Sequence, residues 1–241
     1  MIVGLSSTCF PRLTSAELID RVKSLNVIDV DLAAGRGQSW ELDDPTGITY
    51  LRRGISVVLV GIRAELGDPN LTPEVLASLA SPYAGHCLRL FLAEGSGHKS
   101  RIDSVKEQLS ALTDIGFDLR QILVDTHQGH ATTEDFVSVL SHIDLGVVAD
   151  NEGLSFMTND APAFLRDIGP AVRVLHLKSF RRITNSFSTE NVSITGPDVK
   201  PLSMLIGNVP QDAKILLQSR SETTSSDLKM LQKAAREAGR S

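Results

Sequence analysis

A closed (β/α)8 barrel is the fold this sequence predicts, and three observations carry it. Short apolar runs alternate with amphipathic stretches along the 241-residue chain, the pattern of strand–helix–strand units joined by right-handed parallel crossovers. Eight strand-like runs can be counted, the number that closes such a barrel. No G-x-G-x-x-G follows the first of them, which removes the main reason to prefer an open dinucleotide-binding sheet. No Gly-, Ser- or Pro-rich linker breaks the alternation, so residues 1–241 are expected to form a single domain.

The elements follow in order. "IVGLSS" (2–7) reads as strand one, and "TSAELIDRVKSL" (14–25) as a helix. Thr14 and Glu17 form a capping-box pattern there, with Leu18, Val22 and Leu25 on one face. "VIDVDLA" (27–33) is strand two and "ISVVLVGIRAEL" (55–66) strand three. In the helix "TPEVLASLA" (72–80), Thr72 suits the cap and Pro73 the first helical position. "HCLRLFLA" (86–93) is strand four. The helix after it (101–116) repeats Ile102, Val105, Leu109 and Leu112 at helical spacing and stops at a glycine. "QILVDTH" (121–127), "LGVVAD" (145–150), "VRVLHLK" (172–178) and "AKILLQSRS" (213–221) are strands five to eight, with helices at 133–143, 161–169 and 226–239. Residues 179–210 form the longest region without a clean helix, and long loops after barrel strands usually cover the active site.

Composition narrows the partners. A net charge of −5 and a pI near 5.7 oppose a surface built for phosphate backbone, so no nucleic-acid partner is expected. An aromatic content of 5% argues against base stacking. The longest apolar runs, such as Val57 to Val60, are far short of the roughly 20 residues that span a bilayer. Two distant cysteines, Cys9 and Cys87, and no leader-like segment suit a reducing cytoplasm. The sequence leaves the oligomeric state open, a homodimer through the outer helices being a form such barrels often take.

Chemistry in this architecture sits at the C-terminal strand ends. They present Asp31, then Arg63 and Glu65, Arg89, Asp125 with His127, Asp150 with Glu152, His176 with Lys178, and Gln218 with Arg220 and Glu222. Asp125, Asp150, His176 and Gln218 come from four consecutive strands, each where the apolar run gives out. Two carboxylates, an imidazole and an amide oxygen suit a divalent cation, Mn²⁺ or Mg²⁺ before Zn²⁺, with Co²⁺ also possible. Plainer readings stand beside this one: His176 as a hydrogen-bonded rim residue, Asp150 as a turn signal, Asp125 as a cap.

The stretches "ILVDTHQGHATTEDFVSVL" (122–140), "LGVVADNEG" (145–153), "VRVLHLKSF" (172–180), "TGPDVKPLSMLI" (195–206) and "KILLQS" resemble the second half of the xylose isomerase-like TIM-barrel family. That family comprises sugar isomerases and epimerases and also includes inosose dehydratases, hydroxypyruvate isomerases and endonuclease-IV-type enzymes. The resemblance spans about residues 120–222 and implies a divalent metal, commonly Mn²⁺, held by Asp125, Asp150, His176 and Gln218. Lys178 then anchors substrate or loop. Two departures matter, since the family has Glu where Asp125 and Gln218 stand, and Gln cannot accept a proton near neutral pH. The family's His shortly after the strand-six Asp is also missing, with Glu152 in that neighbourhood.

The resemblance implies a small keto-sugar or polyol substrate, with the metal polarising a carbonyl and a carboxylate removing a proton from carbon to give an ene-diolate. Asp125 is then base and ligand, and Glu152 or Glu222 substitutes for the acid lost at Gln218. His127 and His130 position hydroxyls. Arg63, Arg89 and Arg220 are candidate substrate contacts, Arg63 and Arg89 being equally readable as structural ion pairs with Asp31 or Glu65. The alternative is a barrel that lost turnover and serves as a metabolite-binding or partner protein. DNA repair ranks last, for want of further metal-binding His and Glu residues.

Overall fold

Eight parallel strands close on themselves in the computed structural model, which describes residues 3–43, 47–127, 129–183 and 188–240. Ile2, at the head of the first expected strand, lies outside them. The strands are β1 (Val3–Ser6), β2 (Asp29–Ala33), β3 (Ser56–Leu66), β4 (Leu88–Leu92), β5 (Ile122–Asp125), β6 (Gly146–Asp150) and β7 (Val172–Leu177), then a hairpin of β8 (Ser179–Arg182) and β9 (Thr189–Val192), and β10 (Lys214–Leu217). The barrel order is β1-β10-β7-β6-β5-β4-β3-β2, and β2 returns to β1 through the Leu5–Val30 and Ser6–Asp31 pairs. The predicted (β/α)8 TIM barrel is therefore the fold.

Local signals became elements as expected. Thr14 and Glu17 form the full capping box of the helix Ser15–Ser24, and Thr72 caps Pro73–Ala80. Ile102, Val105, Leu109 and Leu112 are the buried face of Lys99–Asp114. That helix ends before Gly116, whose φ of 103° is costly for any residue with a Cβ.

Two apolar layers build the core. Most buried side chains lie in one large cluster, which includes the buried faces of the outer helices. A second, small cluster of Leu59, Leu123, Val148, Val174 and Leu216 draws one residue from each of five strands. Side chains alternate along a strand, so the residues two further on share its face. Those are Gly61, Asp125, Asp150, His176 and Gln218, and the apolar plug thus carries a polar layer at the C-terminal end of the barrel.

One expectation and one of the plainer alternatives are corrected here. The stretch 179–210 holds β8, β9 and a helix, Gly196–Gly207, despite Pro201 within it. Pro197 fits the first turn, where its missing N–H has no helical partner to lose. The Asp150-Asn-Glu-Gly stretch does not stop the chain in a turn: Asp150 caps a helix, Asn151–Met157. The same short carboxylate that closes a turn also satisfies the first free N–H groups of a helix.

Candidate functional site

A cavity of about 600 Å³ opens at the C-terminal end of the barrel. Arg89, Phe91, Asp125, His127, Asp150, Lys178 and Gln218 from the strand ends line it, with Glu152 from the following helix and Glu190 and Asn191 from β9. His176 and Asp31 lie fully buried beneath.

Two buried cations divide the acids between them. Arg89 crosses from β4 and donates from Nη1 to Asp125 Oδ2 at 3.0 Å. Gly61 makes room for it, since a Cβ there would overlap the guanidinium. The other Arg89 N–H groups have no partner among the described residues, and Asp125 Oδ1 is buried without one. Lys178 is the second cation. Its Nζ donates to Gln218 Oε1 at 3.0 Å and lies 3.2 Å from Asp150 Oδ2 and 2.5 Å from Glu152 Oε2. Asp150 Oδ1 faces the other way, accepting from the N–H groups of Glu152 and Gly153. Thr189 Oγ1 bonds Glu152 Oε1, tying the hairpin to this group.

Gln218 fixes the histidine. Because its Oε1 accepts from Lys178, its Nε2 is the group 3.0 Å from His176 Nδ1, and an amide nitrogen donates. Nδ1 therefore accepts, and the His176 proton sits on Nε2, 3.3 Å from Asp31 Oδ2 but outside hydrogen-bonding geometry. Asp31 is held by the Ser6 hydroxyl at 3.0 Å.

Burial sets the protonation states. It pushes the Asp125 carboxyl up to about 7, against the pull of Arg89, and lowers His176 and His127 to about 4 each. Burial would lower Lys178 too, but Asp150 and Glu152 outweigh it and hold the ammonium above its usual range. Linkage then gives opposed slopes. Asp125 binds a proton more readily folded than unfolded, so its contribution to stability falls as pH rises from about 3.8 through about 7. His176 does the reverse, and its contribution is lost as pH falls from about 6.5 through about 4. His127, lowered like His176, adds a second contribution that is lost as pH falls, so urea midpoints of the parent are expected to rise with pH between pH 4.5 and 6.5. His176→Gln should flatten that slope and Asp125→Asn should steepen it, each changing it by up to about 1.4 kcal/mol per pH unit. Parallel slopes in the two variants would refute the assignment.

The sequence-selected residues separate into four groups. Asp125, Asp150, Glu152, Lys178, Gln218, Arg89 and His127 meet at the cavity, with His176 under its floor. Arg220 reaches the rim and pairs with Glu190 at 2.7 Å. Arg63 lies in an adjoining pocket with Arg36, Glu65 and His130, and Glu222 is exposed outside both. His130 stacks on Phe91 with ring centroids 4.3 Å apart, its Nδ1 3.0 Å from Glu65 Oε1. The expected partners of Arg89, Asp31 or Glu65, give way to Asp125.

The expected divalent ion can be tested against these donors. Asp125 gives Oδ2 to Arg89 and keeps one oxygen, while Asp150, Glu152 and Gln218 all face the Lys178 ammonium. Among the described residues, no three His, Cys, Asp or Glu side chains are grouped to hold a metal ion. The residues in this arrangement do not fit one.

No protein-family model matches the chain, and no curated protein does. Solved structures do match. A xylose isomerase domain-containing protein from Salmonella typhimurium superposes with a TM-score of 0.70 at 13% identity, over 99% of this chain and 96% of that one. The probable 3-DHS dehydratase AsbF of Bacillus anthracis, involved in petrobactin synthesis, gives 0.68 at 14%, over 96% and 99%. D-psicose 3-epimerase from Clostridium cellulolyticum, solved with D-tagatose, gives 0.63 at 12%, over 99% and 96%. The chain has the fold of these barrels.

Proposed function

We propose that this barrel is a sugar-modifying enzyme that moves a proton at the carbon beside a carbonyl in a small keto-sugar or polyol-derived substrate. Asp125 is its acid–base and Arg89 the donor for the developing oxyanion. One observation carries this: a buried carboxyl poised at about 7 beside a buried guanidinium, with one carboxyl oxygen and further guanidinium N–H groups unpartnered among the described residues, at the wall of a cavity of sugar-binding size. The barrels it superposes on support the substrate class: a D-psicose 3-epimerase, a probable 3-DHS dehydratase and a xylose isomerase domain-containing protein.

Arg89 serves the charge that appears on oxygen when the proton leaves carbon, because its donors are already in place and reorganise little. His127, neutral and on the wall, can donate to or accept from a hydroxyl. Gln218 spends its oxygen on Lys178 and its amide on His176, so it positions rather than transfers protons. A single acid–base suits isomerisation, where the same carboxyl takes and returns the proton, or elimination of water. Epimerisation needs a second acid across the substrate, and the further carboxylates on this wall are Asp150 and Glu152, both facing Lys178, and Glu190 of β9. No step here passes through a metal, since the donors do not fit one.

The test is proton exchange. Keto-sugars and 3-keto acids incubated with the protein in D2O are expected to gain deuterium beside the carbonyl, and Asp125→Asn to slow this by about 10²–10⁴-fold. Saturable binding of the same compounds with no exchange would sink the enzyme reading. It would favour a metabolite-binding barrel, a reading that the replacement of an acid by Gln218 also supports.

A further inference from the structure

We infer that Lys178 is the resident cation of this site, its ammonium gathering the strand-end oxygens that would otherwise gather around a divalent ion. The inference goes beyond the proton-transfer reading and does not depend on it.

The donor count comes first. An ammonium has three N–H bonds, and the oxygens facing Nζ are Asp150 Oδ2, Glu152 Oε2 and Gln218 Oε1 at 3.2, 2.5 and 3.0 Å. They come from the end of β6, the helix that follows it, and the end of β10. Two carboxylates and a neutral oxygen converging from separate elements are what a hard cation requires. Here the chain supplies the cation itself. A divalent ion drawing on the same oxygens would sit within a few ångströms of the ammonium, where like charges repel strongly away from bulk water.

The placement is held from the backbone outward. Asn151 accepts from the Lys178 N–H at 3.1 Å and donates to its carbonyl at 2.8 Å, pinning the chain just past the end of β7. The side chain is 7% exposed, so the ammonium is built into the wall and is no solvated surface charge. His176, two residues earlier on the same face, lies one layer below.

This arrangement explains Gln218. A carboxylate there would bind the ammonium as well but could not donate to His176 Nδ1. The amide does both, accepting from Lys178 and donating to the imidazole. Gln at this position is what a site built around an ammonium and a neutral histidine needs.

Mn²⁺ binding tests the inference without reference to turnover, so its outcome is separate from that of the exchange experiment. Chelator-treated parent protein, titrated with Mn²⁺ by calorimetry and by the signal of free Mn²⁺ in electron paramagnetic resonance, is expected to show no saturable site at micromolar concentrations. Lys178→Met releases the three oxygens and should bind about one Mn²⁺ per chain, at least roughly tenfold more tightly than the parent. Its thermal midpoint should rise with added Mn²⁺. If the methionine variant does not fold, Lys178→Gln removes the charge and keeps a hydrogen-bonding group. One micromolar site per chain in the parent overturns the inference. So does a folded Lys178 variant that binds Mn²⁺ no better than the parent.

Discussion

Gly153→Ala is expected to lower the thermal midpoint by about 6–12 °C, the equivalent of about 3 kcal/mol in a chain of this length. Gly153 lies in the first turn of the helix Asn151–Met157, where the helix start meets the chain leaving β5. A Cβ there would overlap the Thr126 carbonyl oxygen and lie 2.6 Å from Thr126 C and 3.0 Å from His127 Cα. The obstacle is backbone on both sides, so no side chain can turn away to relieve it. The close approach is fixed by polar contacts: Asp150 caps the Gly153 N–H, and the Asp150 N–H donates to Thr126 Oγ1 at 2.9 Å. Any shift that admits the methyl group also moves Asp125, His127 and Glu152, so activity should fall in whatever fraction stays folded. Gly207→Ala is the control. Nothing lies within 4 Å of its added Cβ, and at a helix end with ordinary φ it should be neutral or stabilising by up to about 1 kcal/mol. Equal midpoints for the two variants would mean that the helix start is not seated on the β5 loop as described.

That contact also marks where sequence reading stops. The apolar runs and their spacing gave the barrel because period-two alternation and strand count are local properties, written in consecutive residues. The same alternation brought Asp125, Asp150, His176 and Gln218 to one layer, since each interrupts an apolar run in the inward phase. Asp31 is fully buried at the end of "VIDVDLA", where Asp29 is a second acid, and from the sequence it was legible only as a strand end or as an ion-pair partner of Arg63 or Arg89. Which charge meets which was not legible. Arg89 pairs with Asp125 because Gly61, its partner on the adjacent strand β3, leaves space for the guanidinium, and a glycine in β3 says nothing of that until the neighbouring strands are in place. Lys178 was read as a substrate or loop anchor, and its position between Asp150, Glu152 and Gln218 depends on where one long side chain comes to rest. The helix at Gly196–Gly207 escaped for another reason. Pro201 lowers its propensity, and packing of Val199, Leu202 and Ile206 against the core overrides that.

Arg89→Met should cost about 3–5 kcal/mol at pH 8, the usual result of leaving one member of a buried ion pair alone. Arg89 and Asp125 are 7% and 1% exposed, so neither charge can turn to water. Without the guanidinium, the Asp125 carboxyl loses the cation that pulls it down and moves above its present value of about 7. The cost must therefore shrink as pH falls through about 7, below which the folded carboxyl is protonated with or without the arginine, and grow toward pH 9. Replacing both members removes both stranded charges. Arg89→Met with Asp125→Leu is expected to recover most of the lost stability in urea titrations, since buried pairs are often no more stabilising than apolar groups of similar size. The double variant should remain inactive in deuterium exchange. Gly61→Ala reaches the pair from the opposite side, displacing the guanidinium without deleting a charge, and should slow exchange while leaving both charges in the protein. If the double variant were as unstable as Arg89→Met, the pair would be a structural necessity of the barrel wall. Stability regained without activity would separate the two roles, leaving the pair's contribution in the chemistry at the cavity wall, where one Asp125 oxygen and further Arg89 donors have no partner among the described residues.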